Sequence, residues 1–521
     1  MHKILYLFFV LISLSGFSQV PFQKTYGQTI YLEECRDIQH TYNGGYIIGG
    51  KAYRPQAANN LGDAYLLKID YFGNVLWGKL YGKGYYDLVE GLGQTSDSGY
   101  IMIGTSRQSS QGKPSSFVLR TDKQGVQQWN KMFTHATDLL YTTSMDLTSD
   151  GGLIFSNYKL YGAIPPTFSL IKMNAAGDTT WTKSYHSNSG VSCMTVRQTP
   201  DDGYILSGYI YKSGFYPNTF LLKLDASGNT QWFKNYDYGA GVINSSMDFT
   251  SDGGYVLSGT YNYYTADSMQ YYITKTDAAG DVSWTKTYGD SRSLEAKEII
   301  QTSDGGFLMT GRWRVGNTDT MDVYTLKTDA TGNLQWARTF GNVRTDFGTA
   351  VLEDNGNEYL TLGSYLTPGG SYADIYLVRA DVNGNSGCNE TTRFPTTYTR
   401  TVTQDTVTIY QEFIPYDMTI ETYANYSTTD NTTYCSAGIE NLNDTRLLGI
   451  HPNPAGQHIE LDFPVRTNAV YFIYDTTGKL QQQGNYSYRQ KIDIATLSRG
   501  FYTVLFETEG NQFQQKFIVT D

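Results

Sequence analysis

Short apolar runs alternate with clusters of Gly, Asp, Ser and Asn along most of this chain, as in "GYVLSG" (254–259) and "YLLKID" (65–70). Runs this short, with this punctuation, read as β-strands joined by turns. The pattern also repeats. "TDATGNLQW" (328–336) returns as "IDYFGNVLW", "TDKQGVQQW", "MNAAGDTTW", "LDASGNTQW" and "TDAAGDVSW". The closing tryptophans Trp77, Trp129, Trp181, Trp232, Trp284 and Trp336 stand 51 or 52 residues apart. Phe22 holds the same place one step earlier and Cys388 one step later, which gives seven repeats. A fixed period near fifty residues marks a propeller or a solenoid.

Each repeat predicts four strands. Trp-x-Lys begins the first segment. A stretch ending in a turn such as "TSDGG" follows. Next comes an alternating strand that closes on Gly50, Gly104, Gly208, Gly259, Gly311 or Gly363, with Asn157 in that place in the third repeat. The last segment carries a basic residue: Lys68, Arg120, Lys172, Lys223, Lys275, Lys327 or Arg379. One small antiparallel sheet cannot bury both of its faces, but sheets placed radially can. The expected fold is therefore all-β, a seven-bladed β-propeller of four-stranded blades over residues 22–388. "FQKTYG" (22–27) and "DIYLVRADVNGN" (374–385) are expected to pair, so that both ends of the ring complete the last blade and leave no open edge. Each repeat tryptophan is expected to pack between blades, and its loss to cost roughly 3–5 kcal/mol. In Asp-x-x-Gly-Asn the Gly supplies positive φ and the Asp caps the bend. Lys79, Lys131, Lys183, Lys234, Lys286 and Arg338, two residues after each Trp, are expected to keep the outer edges soluble.

Composition narrows the classes. The chain has 521 residues, 45 of them Tyr and 53 Gly, and a net charge of -11. An acidic chain without Lys/Arg clusters does not suit nucleic acid, whose phosphates need a basic stripe. Residues 1–18 read as a secretory signal peptide: a basic start at His2 and Lys3, an apolar run to Leu14, then small residues. No later stretch is apolar enough to span a membrane once the signal is removed. An exported chain is permitted disulfides. Cys388 and Cys435 bracket the segment after the propeller and are expected to pair, a closure worth on the order of 4 kcal/mol in the chain-entropy view. Cys35 and Cys193 hold equivalent places in non-adjacent repeats and are expected to be free and buried. Residues 389–445 form a Thr/Tyr-rich connector with some strand.

Residues 446–521 alternate like a small β-sandwich with Pro-Asn-Pro, Thr-Gly and Arg-Gly turns. Pro452-Asn453-Pro454, Asp475 to Gly478, and Ser498-Arg499-Gly500 with Tyr502 carry a resemblance. This segment resembles the C-terminal sorting domain of proteins exported by the type IX secretion system of Bacteroidetes bacteria. The resemblance implies the type IX machinery as a partner. It also implies a destination in the medium or on the outer-membrane surface of a Gram-negative bacterium.

Candidate chemistry lies where the repeats differ. The spacing between the basic residues of the third and fourth strands is constant at 11, whereas that from the second-strand Gly place to the third-strand basic residue runs from 15 to 18. Unequal loops are where function lives on a uniform scaffold. On that face stand Tyr85, Tyr86, Tyr216, Tyr263, Tyr264, Arg312, Trp313 and Arg314. Exposed aromatics beside polar groups suit stacking on a glycan or a protein ligand. Trp313 leads this set, as it alone among the tryptophans is off the repeat register. Glu34, Asp87, Glu295 and Asp346 precede the innermost strands; such carboxylates either ring the channel mouth and hold a cation such as calcium, or cap turns. No other cofactor is expected. His40, His135 and His186 fall in different repeats, and no Gly-x-Ser-x-Gly, Walker or His-Glu-x-x-His motif is present. This favours a secreted binding or adhesion protein over an enzyme. A carboxylate pair acting as a polysaccharide hydrolase or lyase, and a purely structural surface protein, are the alternatives.

Overall fold

The computed structural model describes residues 21–27, 33–53, 62–82, 85–160, 165–211, 216–264, 268–289, 292–314, 320–341, 345–354, 358–366, 373–413, 416–420, 424–428, 431–436, 449–451, 457–462, 469–475, 480–486, 491–508 and 511–520. The expected signal peptide, Pro452-Asn453-Pro454 and the Thr-Gly turn after Asp475 lie outside these residues. The described elements are all strands, in two units, Met1–Ser436 and Ala437–Asp521.

The first unit is propeller-like. Its described strands form seven antiparallel sheets of five strands. The first sheet takes Glu33–His40, Tyr46–Ala52, Asp63–Ile69 and Val75–Gly82 in chain order. The next five sheets repeat this order. The seventh takes Asp346–Asp354, Glu358–Leu366 and Ala373–Ala380, and is continued by the N-terminal strand Phe22–Tyr26.

One contact joins each sheet to the next. The fourth-strand aromatic of one sheet lies on the turn glycine of its neighbour. A Cβ on Gly125, Gly177, Gly228, Gly280, Gly332 or Gly384 would come within 2.7 to 3.0 Å of Trp77, Trp129, Trp181, Trp232, Trp284 or Trp336 respectively. At Gly73 the ring is Phe22, at 2.9 Å, so the seventh sheet meets the first. These glycines also have φ between +73° and +82°, where a side chain is strained. Four residues past the indole a tyrosine hydroxyl donates to the same turn: Tyr81 to Gly125, Tyr185 to Gly228, Tyr236 to Gly280 and Tyr288 to Gly332, at 2.6–2.7 Å. Tyr26 does the same to Gly73 at 2.8 Å. Where Phe133 and Phe340 replace the tyrosine, the Lys131 ammonium and the Trp336 indole N–H donate instead. The basic residues two places after the indoles, expected to face solvent at an edge, are half-buried or buried. Lys183, Lys234 and Lys286 reach Asn229, Asp281 and Asn333 of the next sheet at 2.6–2.8 Å.

The pairing of first and second strands shifts by one residue in every sheet. This bulge pushes a first-strand carbonyl toward the second strand. A Cβ at Gly50, Gly104, Gly208, Gly259, Gly311 or Gly363 would lie 1.9–2.4 Å from that carbonyl oxygen, which is why glycine recurs there.

The segment read as a connector supplies the fifth strand of every sheet. Glu390–Thr392 pairs with the sixth sheet, Thr396–Thr399 with the fifth, Thr403–Asp405 with the fourth and Tyr410–Phe413 with the third. Asp417–Ile420, Ala424–Thr428 and Asn431–Ser436 then pair with the second, first and seventh. The chain thus retraces the sheets in reverse, stepping six or seven residues each time. Extended chain rises about 3.3 Å per residue, so such a step reaches roughly 20–23 Å. Each short strand takes the edge that a four-stranded sheet leaves open. Gln404 and Gln411, seven apart, each brace a neighbouring turn, at Gly280 and Asn229.

In the second unit, Gly449–His451, His458–Asp462 and Ile492–Asp493 form one sheet. Leu480–Tyr486, Ala469–Asp475, Gly500–Thr508 and Asn511–Val519 form another. Ile459 and Ile492 of the first share one buried cluster with Ile473, Tyr502 and Val504 of the second. The Tyr502 hydroxyl closes the Ser498-Arg499-Gly500 turn by donating to the Ser498 carbonyl at 2.7 Å.

Candidate functional site

Tyr216, Tyr263 and Tyr264 come together. They sit on loops of the fourth and fifth sheets, 58%, 38% and 51% exposed. Tyr264 contacts both others edge-on, with centroids 5.8 Å from Tyr216 and 5.3 Å from Tyr263. Gly241 makes the room beneath: a Cβ there would meet Tyr216 and Tyr264 at 2.8 and 2.9 Å. The group continues inward through Tyr209 and Tyr211, 5.7 Å apart and half-buried. In the third sheet, the Tyr158 hydroxyl lies within electrostatic reach of the Tyr211 and Tyr141 hydroxyls. Burial raises the Tyr158, Tyr209 and Tyr264 hydroxyls above their usual range, so they stay neutral donors at physiological pH. The result is a tyrosine arc spanning the third to fifth sheets. Sequence reading found its exposed end; Tyr141, Tyr158 and Tyr209 escaped it because they sit within strands.

The other aromatic candidates lie elsewhere and differ. Trp313 is buried, 3% exposed, in place of the exposed platform expected. Two guanidiniums cover it, Arg292 at 4.9 Å and Arg393 at 3.8 Å from the ring centroid. The fifth strands from Glu390 to Ser436 form a belt across the seven sheets; Arg393 follows its first strand, Glu390–Thr392, so Trp313 is off register because it seats this belt. Its equivalent in the fifth sheet, Tyr261, lies under Arg400 in the same way at 4.7 Å. Arg312 is spent on Glu295, its Nε donating at 2.9 Å. Arg314 is half-buried, and its backbone N–H donates to Ser293 at 3.0 Å. Tyr85 and Tyr86 are half-buried at the second sheet, Tyr86 beneath the Lys51 ammonium at 4.9 Å.

The four carboxylates are not gathered. Glu34, Asp87, Glu295 and Asp346 belong to the first, second, sixth and seventh sheets. Glu34 pairs with Lys51 at 3.2 Å, and Glu295 with Lys297 at 3.0 Å as well as Arg312. Asp87 and Asp346 are fully buried, and Asp346 accepts the Leu366 N–H at 3.0 Å. Among the described residues no group of three or more His, Cys, Asp or Glu is placed to hold a metal ion.

The seven bulge residues, one per sheet, line a common cavity of about 480 Å³: Arg36, Glu90, Thr143, Met194, Ser245, Lys297 and Thr349. Glu90 lies 3.6 Å from Arg36, yet burial pushes its carboxyl up to about 7. Deeper carboxylates are structural. Asp37, Asp146, Asp248 and Glu298 accept backbone N–H groups of the next sheet, at Leu92, Gln198, Gln301 and Val351, over 2.7–3.0 Å. Burial first, then nearby Asp37, raises Glu298 to about 8.

Cys388 is disulfide-bonded, while Cys35 and Cys193, in the first and fourth sheets, are buried free thiols. The side chain of Cys435 lies outside the described residues.

Residues 449–520 match the family of secretion system C-terminal sorting domains. The second unit is a type IX sorting domain. The sorting domain makes the chain an exported protein, secreted or held at the cell surface. No curated protein matches the chain. Among solved structures, a protein of unknown function from Dyadobacter fermentans is similar at 12% identity and TM-score 0.42, over 69% of this chain and 97% of that one. PorZ, a surface component of the type IX secretion system of Porphyromonas gingivalis, is similar at 8% identity and TM-score 0.15, over 96% and 100%. Likenesses this low carry no argument about the sorting domain's cargo.

Proposed function

We propose that the exported part is a binding protein whose tyrosine arc takes an extended glycan. Residues 22–436 would close as a seven-bladed propeller, and residues 446–521 as a small β-sandwich read by the type IX machinery. The observation that carries the binding reading is the contact among Tyr216, Tyr263 and Tyr264 on the exposed face, continued inward by Tyr211 and Tyr209. Saccharide C–H faces stack on such rings, and phenol hydroxyls bond sugar hydroxyls. An arc across three sheets suits a polymer segment better than a single sugar. Arg312 and Glu295, being paired with each other, do not offer an acid/base couple.

Affinity electrophoresis of the exported chain through a panel of soluble polysaccharides tests this reading. Retardation by at least one polymer, weakened about tenfold in the pair Tyr216→Ala and Tyr264→Ala, is expected from roughly 0.5–1.5 kcal/mol per stacked ring. Retention unchanged in the double variant overturns the arc as the site. Depolymerisation of the retained polymer by the wild type would replace binding with hydrolase or lyase action.

A further inference from the structure

We propose that Cys388 and Cys435 form a disulfide that clasps the two ends of the belt, turning residues 388–435 into a covalent loop around the seven sheets. Three observations meet here. The chain has four cysteines; Cys388 is in a disulfide and two of the others are buried free thiols. The N-terminal strand lies at both belt ends: Gln23 faces Cys435 in register, and its side-chain amide donates to the Cys388 carbonyl. The start of the belt is fixed at the same place, with Gln23 also donating to Ser386 at 2.7 Å and the Ser386 hydroxyl to Glu390 at 2.6 Å.

The belt leaves Cys388, visits the sixth, fifth, fourth, third, second and first sheets, and returns to the seventh, where Cys435 lies. Its strands are only three to six residues long. An open belt peels from either end, one short strand at a time. A clasped belt has no end, and opening any one sheet junction must stretch the loop. Closure removes two electrons and two protons from the two thiols. An external disulfide, small-molecule or protein-borne, accepts them by exchange and is reduced to two thiols. The clasp therefore belongs to the oxidised protein outside the cytosol and is open while the chain is still in the reducing cytosol.

Non-reducing peptide mapping of the purified full chain should recover one linked pair containing Cys388 and Cys435. Alkylation in denaturant should mark only Cys35 and Cys193 until reductant is added. Native-state hydrogen exchange should then show belt amides exchanging about tenfold faster or more after reduction, with inner-strand amides unmoved. The double variant Cys388→Ser, Cys435→Ser should behave as the reduced wild type does. If that variant does not fold, the reduced wild type still decides. A different linkage, four alkylated cysteines without reductant, or belt exchange indifferent to reduction each overturn the clasp.

Discussion

The sheet junction and the tyrosine arc are built from the same side chains and teach opposite lessons. At the junctions an aromatic ring, a turn glycine and a donor meet seven times with little change. In the arc, Tyr216, Tyr263 and Tyr264 meet once, and among the described residues no other sheet repeats them. A contact present at every repeat is explained by the scaffold. A contact present once needs another reason. Trp313 shows the limit of that rule. Its indole occurs once at that place, with only a tyrosine, Tyr261, in the same seat of the fifth sheet, yet it is buried under Arg292 and Arg393, and its reason is the belt. Singularity and exposure together, not either alone, separate the arc from the scaffold.

The comparison can be broken at its strongest point. Trp232 is half-buried against the next sheet, so Trp232→Ala should cost roughly 2–4 kcal/mol in chemical denaturation, somewhat less than a fully buried large-to-small change. A cost under about 1 kcal/mol would show that the indoles do not hold the junctions. Gly280→Ala should cost less, about 1–3 kcal/mol, from a strained φ of +79° and a Cβ 3.0 Å from Trp232. Removing Arg393 tests the belt seat: Arg393→Ala should lose about 0.5–2 kcal/mol and shift Trp313 emission to the red. Unchanged emission would refute the stacked seat.

Glu298 gives a smaller, pH-dependent effect. Its folded pKa, raised from 4.5 to about 8, means that the folded state holds the proton more tightly than the unfolded chain does. Its contribution is whole below 4.5 and fades as pH rises to about 8. Glu298→Gln keeps an acceptor for the Val351 N–H and removes the titration. Its stability relative to wild type should climb between pH 4.5 and about 8 and level off above. A difference that does not vary with pH counts against the burial of that carboxyl. The smallest effect should come from the arc itself. Tyr263→Ala should change stability by no more than about 0.5 kcal/mol, as at other exposed positions, while weakening polysaccharide retention.

Much of the scaffold was legible because its causes are local and repeated. Asp70 capping its own turn, Gly73 at positive φ and the aromatic that covers that glycine recur at fixed intervals, and periodicity reports them directly. The sorting domain was legible from a few turn motifs. The belt was not. Thr403–Asp405 pairs with Asn235–Asp237, about 170 residues earlier, and each later strand pairs with an earlier sheet. Local propensity marks such a segment as extended and says nothing of its partner. The faint signal was its own spacing: Arg393 and Arg400, then Gln404 and Gln411, stand seven apart and do equivalent work. The carboxylates misled for a related reason. Glu34 and Glu295 look free until Lys51 and Arg312 arrive from the adjoining strand.

The belt ties two tallies together. A duplication that inserted one more fifty-two-residue segment would create a sheet for which the strap has no strand, and the tail would fall short of its terminus by one stride. Growth or loss of the scaffold must be matched by about seven residues added or removed far downstream. Sequences descended from a common ancestor with this architecture should change the two lengths in concert, and a tandem copy without its matching stride should be rare among them.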